Sequence, residues 1–274
     1  MKLLNLGCGH KYVKDAQWIN ADMDPASADV QQCNFLNGIP FPDNQFDLVY
    51  HSHVLEHFQQ KDGEVFIREC YRICKPGGMI RIAMPNLEVI AREYLIALDK
   101  AAAGDTKAAA DYDWMLLEMY DQTVRNSSGG AMLQYLTQPE LPNPDFVFRR
   151  IGGGGRKWRE QFLQQASGEA TKPSKLALAL KNPARAWDKI YDAFLRIVLG
   201  KKRFQYYQTG KFRNGGEIHQ WMYDRYSLER LLTSVGFTQV KVQTAQTSYH
   251  PNWASYQLDD PEENASIFIE AIKP

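Results

Sequence analysis

A short apolar run that ends in two glycines constrains this 274-residue chain more than any other feature. Leu3, Leu4 and Leu6 predict a buried strand, which leads directly into Gly7-Cys8-Gly9. Two glycines with one residue between them form a sharp turn after a strand, and a ligand can approach its backbone closely because no Cβ stands in the way. Alone, this turn is compatible with a nucleotide-type site and with a plain tight turn.

Strands and helices alternate after this turn. A second strand is predicted at 18–21 and ends at Asp22, which is where a doubly wound fold places a carboxylate for a ribose diol. The apolar run 48–50 is typical of a central parallel strand. A helix over 62–75 and a strand over 79–84 follow. This alternation predicts a parallel sheet covered by helices.

Four stretches in this order resemble a class I S-adenosylmethionine-dependent methyltransferase of the type 11 branch. They are LNLGCG, NADMDP, GIPFPDNQFDLVYHSHVLEHF and ECYRICKPGGMIRIAMPN. The resemblance covers residues 1–95 and resumes near residue 219. It implies an α/β fold with a Rossmann-like, doubly wound seven-stranded sheet. It also implies S-adenosyl-L-methionine as the cofactor and S-adenosyl-L-homocysteine as the product.

A third short strand is predicted at 30–35. On the adenosine side, the resemblance assigns roles to residues at the ends of the second and third strands. Asp22 would bind the ribose hydroxyls, and Met23 would lie against the adenine. Asn34 stands where many relatives have an aspartate that touches the adenine amino group, and it keeps an acceptor oxygen without the charge. Phe35 would help to wall the ring.

On the methionine side, Gly7 and Gly9 would form the turn beneath the amino-acid tail, and His51 would face the methyl group. The third glycine of the family's usual G-x-G-x-G is Lys11 here. The first crossover is also short, which would bring His10 and Lys11 near the cofactor's carboxylate. The predicted cofactor-binding set is Leu6, Gly7, Cys8, Gly9, Asp22, Met23, Asn34, Phe35 and His51.

A long segment separates the two halves of the expected core. We predict a cofactor-binding core at 1–99, a mainly helical insertion on the substrate side at 100–213, and a closing helix with the last two strands at 214–274. Helices are predicted at 106–125, 156–167 and 183–199 in the insertion. The run Gly152–Gly155 is either a lid hinge or a disordered loop. Ser227 is predicted to N-cap the closing helix.

Charge is distributed unevenly although the net charge is zero. Residues 149–213 contain 16 Lys or Arg and 4 Asp or Glu. This basic stretch either meets something anionic or packs as a solvated face against the acidic remainder. Residues 176–204 predict either an amphipathic helix that touches an anionic membrane or a lipid-linked substrate, or a cap helix packed on the core.

Methyl transfer to a hydroxyl requires removal of its proton, and histidine suits this task near neutral pH. The candidate catalytic residues are His53, His219 and His51, whereas His57 is interpreted as structural. No metal is predicted. The expected reaction is O-methylation of a small molecule or a sugar or glycan acceptor.

Two other functions remain open. One is a non-catalytic protein that binds S-adenosylmethionine or a partner. The other is an RNA methyltransferase, although the fourth strand is not followed by the N/D-P-P-Y/F pattern of base-amino methylation. A nicotinamide dehydrogenase is disfavoured because G-x-G-x-x-G is missing. No apolar run approaches the ~20 residues of a membrane span, and the four cysteines show no zinc spacing. We therefore expect a cytoplasmic protein with reduced thiols, for which a nucleic-acid partner is disfavoured.

Overall fold

The computed structural model describes residues 1–166 and 183–274. Its centre is a seven-stranded sheet in the order β3-β2-β1-β4-β5-β7-β6. Strand β7 runs antiparallel to both of its neighbours, and the other pairs are parallel. This architecture confirms the predicted seven-stranded α/β fold. The strands are β1 Leu3–Leu6, β2 Trp18–Asp22, β3 Val30–Gln32, β4 Phe46–Ser52, β5 Cys74–Pro85, β6 Thr238–Gln243 and β7 Ser266–Ile272.

Helices cover the sheet and form the insertion that follows β5. Helices α1 and α8 pack on one sheet face through buried apolar side chains such as Phe66, Ile67 and Leu232. Helix α2 continues past residue 99, and the division of the chain at 99 and 213 stays a prediction. The helices are α1 Gln60–Ile73, α2 Leu87–Ala102, α3 Thr106–Leu116, α4 Gln122–Val124, α5 Gly130–Leu136, α6 Pro144–Ala166, α7 Pro183–Arg213 and α8 Arg225–Val235.

Near β1 and β2, the opposite face of the sheet is covered by the segment between β6 and β7 and not by a helix between β1 and β2. In the described stretch 7–17, which connects these strands, the chain forms no helix. The segment between β6 and β7 lies there instead, with Trp253 and Leu258 packed against Trp18. Beneath this segment Arg81 is fully buried and binds Asp259 and Glu270 through short hydrogen bonds. Pairing both acids with one guanidinium satisfies charges that would otherwise be costly to bury.

Three local expectations differ from the structure. The run Gly152–Gly155 is not a disordered loop, because it lies within α6, which kinks at Gly152 where φ is 68°; its role as a lid hinge stays a prediction. The third strand ends at Gln32, and Phe35 lies in a 3-10 turn. The N-cap of α8 is Asp224, not Ser227, and the two side chains form a reciprocal capping box.

Helix α7 also exceeds its predicted bounds, since it continues to Arg213 through a kink at Gly200. The first part of the predicted amphipathic segment, 176–182, lies outside the described residues.

Candidate functional site

The glycine turn after β1 has the left-handed backbone that glycine permits. Gly7 has φ 66° and Gly9 has φ 51°. A Cβ at Gly7 would lie 2.3 Å from Cγ2 of Val54, so the turn is closely packed on that side. A Cβ at Gly9 would meet nothing within 4 Å. The turn is therefore anchored at Gly7 and faces open space at Gly9.

Asp22 is held at the tip of β2 by two backbone hydrogen bonds. Its Oδ2 accepts from the Gly9 amide at 2.8 Å, and its Oδ1 accepts from the Asp24 amide at 2.9 Å. A carboxylate oxygen has two lone pairs, so each oxygen can accept a further bond from a ligand. The carboxylate thus ties the glycine turn to β2 and remains available to a diol.

A cavity of about 680 Å³, which we call the cofactor cleft, opens beside this turn. Its size falls within the usual ~300–1,000 Å³ of small-molecule sites. Phe35 is buried and packs against Phe66 at a centroid distance of 6.0 Å. Met23 is largely exposed at the rim. The residues lining the cleft include Gly7, Asp22, Met23, Phe35, His53, Val54, His57, Phe58, Asn214, Gly215 and Gly216.

Five residues of the predicted cofactor-binding set lie outside the cleft lining, namely Leu6, Cys8, Gly9, Asn34 and His51. Leu6 is fully buried within β1 and supports the turn from below. Asn34 is exposed just before the 3-10 turn that contains Phe35. The cofactor roles assigned from the resemblance stay predictions.

A smaller cavity of about 190 Å³, the tail pocket, lies on the other side of the glycine turn. It is lined by Cys8, His10, Lys11 and His53 among others. Burial, aided by the charge of Asp22, raises the pKa of the Cys8 thiol to about 11. The thiol is therefore protonated at neutral pH and adds no charge beside the two basic side chains.

A third cavity of about 180 Å³, the acceptor pocket, lies between the sheet and the insertion. The insertion supplies Glu118 and Gln122, and His219 comes from the segment before α8. His53 lines all three cavities. It also has φ 54°, which is uncommon for a residue other than glycine and recurs at functional sites.

A buried glutamate lies at the centre of this junction. Glu56 lies three residues after His53, in the 3-10 turn Leu55–His57. Its Oε1 lies 3.1 Å from Nδ1 of His53. Its other oxygen, Oε2, is buried without a hydrogen-bond partner among the described residues. Burial acts to raise the pKa of Glu56, but the hydrogen bond from His53 and the charges of three histidines lower it to about 2. The site therefore contains a buried carboxylate anion.

The histidines around Glu56 have opposite pKa shifts. Burial lowers the pKa of His219 to about 3, although the charge of Glu56 opposes this effect. Burial also acts to lower the pKa of His53, but the hydrogen bond and charge of Glu56 and the charge of Glu263 outweigh it and raise the pKa to about 9. At neutral pH His219 is uncharged, whereas His53 is an imidazolium.

The segment around His219 joins the core to the insertion. The Glu56 carbonyl accepts hydrogen bonds from the amides of Gln220 and Trp221. The His219 amide donates to the carbonyl of Gln122 at 2.9 Å. His57 Nδ1 lies 3.2 Å from the Ile218 carbonyl, and its ring packs edge-on against His219. Both sides of the junction are thereby fixed.

The position of His51 does not support the expectation that it faces the methyl group. Its ring is fully buried in β4, packs edge-on against Phe66, and its nitrogens have no hydrogen-bond partner among the described residues. Burial lowers the pKa of His51 to about 4. His51 contacts the core beneath the site and lines none of its three cavities.

Glu56 is not among the site residues predicted from the sequence. Its position between Leu55 and His57, shortly after the end of a predicted strand, could have indicated a site residue. Glu56, His57 and His219 place one potential ligand atom each within 4.8 Å of one another. This spacing could accommodate a metal ion, and the absence of one stays a prediction. The same arrangement also pairs a carboxylate with a neutral imidazole next to the acceptor pocket.

The sheet order, the antiparallel last strand and a glycine turn opposite an acidic strand tip are the features of a class I S-adenosylmethionine-dependent methyltransferase fold. Residues 4–82 match the family model described as "Methyltransferase domain". That match covers the part of the chain that holds the glycine turn and Asp22.

Curated relatives match part of the chain. A "Probable S-adenosylmethionine-dependent methyltransferase" of Mycolicibacterium smegmatis is 31% identical over 100 residues, which are 31% of this chain and 38% of that protein. One of Mycobacterium tuberculosis is 31% identical over 100 residues, 35% of its length. The match thus spans about a third of each relative.

Solved structures show low similarity over the whole chain. A SAM dependent methyltransferase from Archaeoglobus fulgidus is 13% identical with a TM-score of 0.39, over 99% of this chain and 86% of that one. One from Aquifex aeolicus is 9% identical with a TM-score of 0.38, over 100% of this chain and 82% of that one.

Proposed function

We propose that this protein transfers a methyl group from S-adenosyl-L-methionine to an oxygen of a small polar acceptor, such as a sugar or glycan. The observation that carries the proposal is the position of His53, where the cofactor cleft, the tail pocket and the acceptor pocket meet. A methyl donor in the first two cavities and an acceptor in the third would meet at this side chain. In-line alignment of the two reactants supplies much of the rate of such a transfer.

The residues of the cleft and the tail pocket fit a nucleoside with a charged amino-acid tail. Asp22 offers fixed oxygens to the ribose hydroxyls, and Phe35 offers a buried aromatic wall to the adenine. His10 and Lys11 in the tail pocket suit a carboxylate. When bound, the sulfonium supplies an electrophilic methyl group that needs no further activation.

The acceptor pocket is lined by apolar and polar side chains, and its strongest charges are paired. Glu118 binds Arg150 through both carboxylate oxygens and also accepts from the Trp114 indole. With this pair neutralised, Gln122, His219 and the ion pair of His53 with Glu263 are the polar groups left to meet an acceptor. An uncharged molecule with several hydroxyl groups suits such a pocket.

His219 is the residue that we propose as proton acceptor. Its uncharged ring lines the acceptor pocket, and Glu56 beside it stabilises the imidazolium that forms. An acceptor oxygen becomes strongly acidic as it gains a methyl group, so a weakly basic imidazole suffices. His53 is already protonated at neutral pH and instead positions Glu56 and the acceptor.

Two measurements test this function. Calorimetry should show that S-adenosyl-L-homocysteine binds and NAD does not. A methyl-transfer screen against fractionated metabolites, glycans and RNA, followed by mass spectrometry, should find a mass increase in a hydroxylated small molecule or glycan. Binding of the nucleoside without transfer to any fraction would favour the non-catalytic alternative. Transfer to RNA alone would overturn the proposed acceptor class.

A further inference from the structure

Helix α7 exposes a continuous apolar stripe. Ile197 has 84% of its surface exposed and Trp187 has 71%, which are high values for large apolar side chains. The spacing of the exposed apolar residues keeps them on one side of a helix. The stripe consists of Trp187, Ile190, Tyr191, Phe194, Ile197 and Val198. A contiguous exposed patch of this kind usually marks an interaction surface.

Helix α7 consists of two helical parts, and the stripe lies on the side of the first part that faces away from the second. Gly200, with φ 69°, breaks α7 into two helical parts. Lys211 in the second part binds Asp192 at 3.3 Å and lies 3.8 Å from Asp188 in the first part, so the two parts form a hairpin. At 100° per residue, Phe194 lies about 160° around the helix from Asp192. The two aspartates therefore face the second part, and the stripe lies on the outer side.

Positive charge accompanies the stripe. Residues 187–213 contain seven Lys or Arg and two Asp. Three of these cations, Lys201, Lys202 and Arg203, follow the break at Gly200 and are exposed. The two aspartates are engaged with Lys211. The hairpin thus combines an exposed apolar face with an exposed basic end, which is the composition of a helix that lies in an anionic membrane interface.

We propose that the α7 hairpin binds the surface of an anionic lipid bilayer, with the stripe inserted among the acyl chains and Lys201, Lys202 and Arg203 at the headgroups. No helix in the described parts of the chain is long and apolar enough to cross a membrane. Binding would therefore be at the surface.

The hairpin is joined closely to the site. Helix α7 ends at Arg213, and the next three residues, 214–216, line the cofactor cleft. Arg213 also donates to backbone carbonyls at Thr123 and Val124, next to the acceptor pocket. Membrane binding would thus hold the cleft close to the bilayer. The proposal does not depend on the methyltransferase activity.

Vesicle flotation of the full chain tests the proposal. The protein should float with vesicles of phosphatidylcholine mixed with phosphatidylglycerol, and bind vesicles of phosphatidylcholine alone far more weakly. A stripe variant (Ile190→Gln, Phe194→Gln, Ile197→Gln) should lose at least ~10-fold in partitioning. A tip variant (Lys201→Gln, Lys202→Gln, Arg203→Gln) should lose about 100-fold at low salt. The matched control, Val65→Gln with Ile96→Gln, removes exposed apolar groups elsewhere and should bind like the parent protein.

A different binding partner of the stripe would give a different result in these experiments. Failure of the parent protein to float, or equal flotation of the stripe variant, would overturn the proposal. A concentration-dependent dimer that the stripe variant abolishes, without flotation, would assign the stripe to a second copy of the chain. Binding of RNA through the tip, again without flotation, would assign it to nucleic acid. Each variant is first checked for parental affinity for S-adenosyl-L-homocysteine, so loss of membrane binding is separated from loss of folding or of the proposed function.

Discussion

Nδ1 of His53 lies 3.1 Å from Oε1 of Glu56, whose side chain is completely buried. This pair places a cation at the meeting point of three cavities and an anion directly behind it. Each charge stabilises the other, since the pKa of His53 is raised to about 9 and that of Glu56 is lowered to about 2. The pair therefore determines the electrostatics of the site.

Glu56→Gln should lower the pKa of His53 from about 9 towards its ordinary value of 6.5, because the hydrogen bond and the charge of Glu56 are lost. Titration of the His53 ring by NMR measures the change. Glu263→Gln is the matched control. Oε1 of Glu263 lies 3.8 Å from Nε2 of His53, which is too far for a hydrogen bond, so the pKa of His53 should change less in this variant. Equal shifts in both variants would contradict the dominant role assigned to Glu56.

His219→Asn should reduce kcat at least ~100-fold and leave the KM for S-adenosyl-L-methionine unchanged, because the side chain lines the acceptor pocket and not the cofactor cleft. Steady-state kinetics with the acceptor found in the screen measures both constants. The control is His250→Gln, a buried histidine near Met1. Inactivation by a chelator, reversed by a divalent metal, would instead indicate that Glu56, His57 and His219 hold an ion.

How far the sequence predicts the site depends on the range of the contacts involved. The glycine turn and Asp22 follow successive predicted strands, which places both at the carboxyl ends of the strands, and there the Gly9 amide donates to Asp22. The junction at Glu56 instead requires contacts with residues 218–221, more than 160 positions away. No local pattern encodes that contact.

The fold shows the same limit. Apolar runs predict the strands at 3–6, 18–21, 48–50 and 79–84, and strands are observed at each of these places. The four glycines at 152–155 indicated a loop, yet they lie within α6. There the Gly154 amide donates to Asp260 at 3.0 Å, and a Cβ at Gly152 would lie 2.7 Å from the same carboxylate. Close approach to a distant segment explains these glycines, and a single sequence does not reveal it.

His51→Leu should raise the free energy of unfolding by about 1 kcal/mol, because it removes two buried nitrogens that lack partners. The folded pKa of His51 is about 4 and its ordinary value is 6.5, so the unfolded chain binds a proton first as the pH falls. Wild-type stability should therefore decline from pH 6.5 to 4, and the variant should decline less. Urea unfolding across this range measures both effects. His10 is exposed, so the control His10→Leu should show neither the higher free energy of unfolding nor the smaller decline between pH 6.5 and 4.

Asp22→Asn should weaken binding of S-adenosyl-L-homocysteine at least ~10-fold, because a charged acceptor for the ribose is lost and the Gly9 and Asp24 amides must share one oxygen. Calorimetry measures the affinity. Asp29→Asn is the control, since its ion pair with Lys14 lies at the surface. Parental affinity in the Asp22 variant would refute the assignment of the cofactor cleft.

Lys11→Glu should also weaken binding of S-adenosyl-L-homocysteine, by about tenfold at low salt, because it replaces a cation by an anion in the pocket proposed for the ligand's carboxylate. Salt should reduce the loss, since Lys11 is exposed and its charge is screened. Lys14→Glu changes the net charge equally but lies outside the tail pocket. A comparable loss in that control would reveal a general charge effect, whereas unchanged affinity in the Lys11 variant would show that the carboxylate lies elsewhere. A loss confined to Lys11 would explain how a chain without the third glycine of the motif still binds the cofactor's tail.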